Sequence, residues 1–150
     1  MCGGIAIHWK GVSQELADRY GLLPTSVGTE ERMIRFQYRD PIPLLPAYEK
    51  GELGIYLWGN RNDQESKLPH TGWCKVESLH AGKWNFLHPE PVDIPAAMGL
   101  EKGVWFPIDT GMRGILVSDE NAEKHVFMLT QPADSAYLAL TKHERMPVFL

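Results

Sequence analysis

The 150-residue sequence holds 15 Lys and Arg against 19 Asp and Glu, a net charge of −4. That balance excludes a surface that coats nucleic acid indiscriminately, though not a local basic groove. Hydrophobic residues at 43% and charged residues at 23% are ordinary for a globular chain and suffice for one domain, 1–150, with a real core.

No apolar run reaches the roughly 18 residues needed to span a bilayer. The start also lacks a basic segment followed by an apolar one. The sequence therefore predicts a cytoplasmic protein without a membrane partner. Its two cysteines, Cys2 and Cys74, form neither a disulfide framework nor a metal motif. The six histidines lack zinc-ligand spacing, and no P-loop, dinucleotide fingerprint or Gly-x-Ser-x-Gly is present. No cofactor or metal is expected.

In chain order, Gly4–Trp9 reads as a short buried strand leading directly from Cys2. Ser13 then caps a helix over 14–20 that ends at Gly21. Residues 22–31 read as loop. Met33–Arg39 alternates as a strand. Pro41, Pro43 and Pro46 point to extended chain at an edge or outside a sheet. Gly54–Gly59 is a strand, and 60–66 is a polar loop. Trp73–Val76 and Lys83–Leu87 are predicted strands on either side of His80-Ala81-Gly82. Pro89, Pro91 and Pro95 interrupt regular structure. Val104–Ile108, Arg113–Val117 and His125–Thr130 follow as strands, the last two joined by a turn over 118–123. Pro132–Leu140 suits a helix. Met146–Leu150 is apolar to its last residue, which predicts a buried end.

Cys2 is the leading candidate for chemistry. Once Met1 is removed, its α-amine (pKa about 8) and its thiol (about 8.5) sit on adjacent carbons. Both are then near their nucleophilic forms at neutral pH. Such a 1,2-aminothiol condenses with an aldehyde through a Schiff base and closes to a thiazolidine. His143 is a natural proton carrier, or else a solvated capping residue. Glu101 lies between Gly99 and Gly103 and could move a proton at an amine, or else be an exposed turn carboxylate. Trp58 borders the polar loop with Asn60 and Arg61, a combination suited to a base and a phosphate. Core packing is the first explanation for Trp73, Trp84 and Trp105. Arg32, Arg35 and Arg39 form one basic stretch.

Taken together, both ends of the chain resemble the SRAP (SOS-response-associated peptidase) family. The resemblance rests on Met1-Cys2-Gly3, on His143-Glu144-Arg145-Met146-Pro147-Val148, and on Thr130-Gln131-Pro132-Ala133 before it. Trp58-Gly59 and the stretch from Ile94 to Glu101 also resemble family segments. Gly4 replaces a basic residue, Lys102 holds the formal Glu position, and Trp73 stands where the family has Asn.

The resemblance implies an α+β domain dominated by a curved, mostly antiparallel β-sheet with a few short helices. It implies a monomer that senses abasic sites in single-stranded DNA through a covalent thiazolidine crosslink. Cys2 would be the nucleophile, Glu101 would assist proton movement at the amine, and His143 would assist opening of the sugar and touch the phosphate. Trp58, Asn60, Arg61, Lys75 and Arg145 would contact DNA. A self-processing peptidase activity is also implied. Two alternatives stand beside this reading: an N-terminal-nucleophile hydrolase or glutamine amidotransferase, and a non-catalytic DNA-binding module on the same scaffold.

Overall fold

The computed structural model describes residues 2–150, so the expected fate of Met1 lies outside them. Its strands are β1 (Gly4–His8), β2 (Thr25–Val27), β3 (Glu30–Gln37), β4 (Leu44–Glu49), β5 (Glu52–Trp58) and β6 (Trp73–Lys75). They continue as β7 (Glu90–Ile94), β8 (Met98–Glu101), β9 (Val104–Pro107), β10 (Met112–Ser118), β11 (Lys124–Pro132) and β12 (Arg145–Pro147). The helices are α1 (Gln14–Tyr20), α2 (Val76–His80) and α3 (Ser135–Thr141), with single 3₁₀ turns at Trp9–Gly11 and Asn85–Leu87. The fold is α+β, with curled and mostly antiparallel sheet and a few short helices in one domain.

β1 is central to the first sheet, whose order is β2-β3-β1-β8-β9. Gly4 lies opposite Gln37 on one edge and Leu100 on the other. The second sheet runs β10-β7-β4-β5-β11-β12, and a further β10–β11 pairing closes five of its strands into a ring. The pairings of β11 with β5 and β6 are parallel. One core lies between the two sheets. Ile5, Ile7, Ile34 and Phe36 from the first pack with Leu45, Ile94, Met112 and Val126 from the second. Among the described residues no helix is long and apolar enough to cross a membrane.

Local chemistry explains most elements. Ser13 Oγ accepts from the Leu16 N–H, and Gly21 closes α1 in the left-handed conformation (φ 63°), as the cap residues predict. Pro91 behaves differently from expectation, since it lies inside β7 rather than interrupting it. Pro46 lies in extended chain, within β4. β4 meets β7 only at Tyr48–Asp93, so this seam offers strand edge where a missing N–H breaks little.

The predicted strand over 83–87 is instead a 3₁₀ turn. Its period of three turns Trp84 and Leu87 into a second core cluster beside Phe127. Part of the expected loop over 22–31 is β2, paired with β3 across a bulge. Pro132 ends β11 rather than opening α3, which starts after its cap Asp134. The apolar tail is buried through Pro147, whereas Leu150 is 41% exposed.

Gly59 ties the ring to the loop that follows it. It sits at φ +60°, and a Cβ there would fall 2.2 Å from Thr71 O. Its N–H donates to Val126 O over 2.8 Å. His125 packs against it, with Nδ1 2.7 Å from Gly59 O and Nε2 2.9 Å from Asp119 Oδ2. Gly28 has nearly the same φ, +59°, but open space around it. Gly28→Ala should thus cost only the left-handed penalty of about 1 kcal/mol. Gly59→Ala adds a backbone clash and should cost about 3 kcal/mol or more. Urea unfolding of the two variants checks the difference.

Candidate active site

Gly3, next to Cys2, is bonded to both flanking strands. Its N–H donates to Leu100 O over 2.9 Å, and its carbonyl accepts from Tyr38 N–H over 3.0 Å. Trp73 Nε1 donates to Cys2 O over 2.9 Å. Cys2 is therefore fixed in place with 0% exposure. Its thiol donates to Gly4 O over 3.1 Å. Burial pushes this thiol up to about 12, with the Glu101 charge adding to the rise.

Glu101 is the last residue of β8 and is 2% exposed. It is not the exposed turn carboxylate that its flanking glycines allow. Only Lys102 and Gly103 occupy the turn, and both have positive φ. Tyr137 on α3 donates its hydroxyl to Glu101 Oε1 over 3.1 Å. His143 follows the left-handed cap of α3 at Lys142. Its Nδ1 lies 4.0 Å from Glu101 Oε1 and accepts from the Arg145 N–H over 3.0 Å. That bond assigns the proton of a neutral ring to Nε2. Lys102 Nζ donates to Lys142 O over 2.9 Å, which ties the β8–β9 turn to the end of α3. Cys2, Glu101 and His143 thus come together, although they span almost the whole sequence.

Beside them opens a cleft of about 720 Å³. Arg35, Arg39, Arg61 and Lys102 line it, and Glu101 is the acidic residue among its walls. Tyr38, Trp73 and Trp105 supply half-buried aromatic surface there. Arg35 and Arg39 belong to the basic stretch visible in the sequence. Arg61 reaches the same space because it donates to Tyr38 O and Pro41 O. Its guanidinium also lies 5.9 Å from the Tyr38 ring centroid.

The remaining expected DNA contacts lie elsewhere. Trp58 is 1% exposed and donates to Gly72 O, so it is core and offers no face to a base. Asn60 is 5% exposed, and its amide is held by Asp63 and Leu68 carbonyls. Both correct the reading of this loop border as a binding edge, because the loop folds back over them. Lys75 is exposed but does not line the cleft. Arg145 forms a two-pronged pair with Glu77 (2.8 and 3.1 Å) and donates to Thr130. It is thereby committed to structure. Trp73 and Trp105, read first as core, reach the cleft together with Tyr38.

No family model matches the chain. No curated protein matches it either.

The two thiols give a pH test. Cys74, 1% exposed, is also pushed up to about 12 by burial. A raised thiol pKa means that unfolding releases protons once pH passes the unfolded value of about 8.5. Stability should be intact below that pH and fall steadily between about 9 and 12. With Met1 in place, neither thiol should react with Ellman's reagent at pH 8 in the native state. Both should react in guanidinium.

Proposed function

We propose that the protein captures the aldehyde of abasic sites in single-stranded DNA as a covalent thiazolidine on Cys2. What supports this most is one juxtaposition. Cys2, Glu101 and His143 meet next to a cleft lined by four cations and three aromatic rings. The cations suit the phosphates that flank a lesion, and the aromatics suit unstacked bases.

The chemistry begins once removal of Met1 frees the Cys2 amine. The amine adds to the aldehyde carbon of the ring-opened sugar, and loss of water leaves an imine. The thiol then adds across the C=N bond. Sγ bonds to carbon, and the thiol proton ends on nitrogen. The amine reacts first, and the thiol closes the ring in the second of these steps. Glu101 accepts and returns the proton at nitrogen. His143 assists opening of the sugar.

A second reading draws on the buried thiol. With Cys2 at 0% exposure, the same cleft could hold single-stranded DNA reversibly and form no bond. Incubation with abasic and intact oligonucleotides, followed by denaturing electrophoresis, separates the two. The covalent reading expects a shifted band with abasic DNA alone, and none with Cys2→Ala or with Met1 retained. Glu101→Gln and His143→Ala should each slow its appearance about 100-fold. Persistent crosslinking by Cys2→Ala would overturn the reading. Release of ammonia from glutamine would favour an amidotransferase instead. Reversible binding of intact strands should weaken with salt, with a log–log slope of about −3 for four phosphate contacts.

A further inference from the structure

Helix α3 carries a buried hydroxyl that the steps above leave unused. Tyr137 is 6% exposed, and its ring meets Phe106 edge-on with centroids 5.5 Å apart. Its hydroxyl donates to Oε1 of Glu101, the same oxygen that lies 4.0 Å from His143 Nδ1. We infer that Tyr137 is a positioning residue whose hydroxyl fixes how the Glu101 carboxylate faces Cys2, and so governs the rate of proton movement there. The inference rests on the covalent reading proposed above.

The geometry gives this hydroxyl a fixed seat. Asp134 caps α3 by accepting from the Tyr137 N–H over 2.7 Å. The Tyr137 carbonyl accepts from Thr141 Oγ1 over 2.8 Å, and that oxygen in turn accepts from the His143 N–H over 3.3 Å. A single turn of helix thus sets Tyr137 and His143 relative to one another. Burial, then the neighbouring Cys2 and Glu101, push the phenol far above its usual range. It remains a donor at any pH where the capture would run. A donor held on a carboxylate stabilises the ionised form, which is the form able to take a proton.

The titratable groups around Glu101 come from several segments. Tyr137 faces it from α3, His143 from the segment after α3, and Cys2 from the segment before β1. Lys102, its neighbour in sequence, is engaged with Lys142 O.

Tyr137→Phe removes one oxygen and leaves the ring packed on Phe106. It should slow crosslinking to abasic DNA about tenfold at pH 7 and move the acidic limb of the rate profile to higher pH. The carbon-13 chemical shift of the Glu101 carboxyl at pH 7 should differ between Tyr137→Phe and the wild type, because the variant lacks the hydroxyl that donates to Oε1. In a Glu101→Gln background, Tyr137→Phe should cause no further slowing.

Three results overturn the inference. One is a Tyr137→Phe protein that crosslinks with the wild-type rate and profile. Another is slower crosslinking with the limb and the Glu101 carboxyl resonance unmoved, which reduces Tyr137 to packing. The third is slowing undiminished by Glu101→Gln. The outcome for the covalent reading is separate. If the wild type forms no adduct, that reading falls, and the Glu101 carboxyl resonance still decides whether Tyr137 sets the carboxylate.

Discussion

The seating of Cys2 and Gly3 between the end of β3 and β8 is the constraint on which the site depends. Here Gly3 donates to Leu100 and accepts from Tyr38, while Trp73 holds the Cys2 carbonyl. Each such bond contributes about 0.5–1.5 kcal/mol net, and together they hold Cys2 at one position. Gly4 is part of the same arrangement. A Cβ there would come 3.2 Å from both Gln37 Cγ and Leu100 Cβ, so the close strand approach explains a small residue at this point. Because β8 pairs with β1, its last residue, Glu101, arrives beside Cys2 without any long loop.

The other half of the site arrives through β11. That strand leaves the ring, passes Pro132 and feeds α3. The helix brings Tyr137 onto Glu101 and ends where His143 begins. Arg145, next on β12, anchors this return through Glu77 and Thr130. The pair matters here by fixing direction, since an exposed ion pair adds little stability. The overall charge of −4 conceals the electrostatics of the cleft, where Arg35, Arg39, Arg61 and Lys102 gather.

Much of the fold was legible in the sequence wherever the signal is local. The Ser13 and Gly21 caps mark α1, alternation marks β3, and apolar runs mark β5, β10 and β11. Pro91 misled because its tolerance depends on which strand edge is paired, a tertiary fact. β8 was missed because Met98-Gly99-Leu100-Glu101 is short and flanked by glycine, and pairing with β1 overrides weak propensity.

At the site, Cys2, Glu101 and His143 could be named from the ends of the chain and the resemblance. The cleft could not. Its cations come from β3 and the turn after it, the loop after β5 and the β8–β9 turn, and only Arg35 and Arg39 sit close enough in sequence to show as a pair. Trp58 and Asn60 look like a surface edge until the loop beyond them folds back. Tyr137 left a faint trace, as an apolar position in a predicted helix.

The central claim is that Cys2, through both its amine and its thiol, is where the protein bonds to an aldehyde in DNA. Peptide mapping of the purified adduct by mass spectrometry tests it most directly. The account predicts that the nucleotide mass stays on the peptide beginning at Cys2, and that its thiol resists alkylation after denaturation. An adduct on a lysine of the cleft, such as Lys102, or a Cys2 that still alkylates fully, would contradict it.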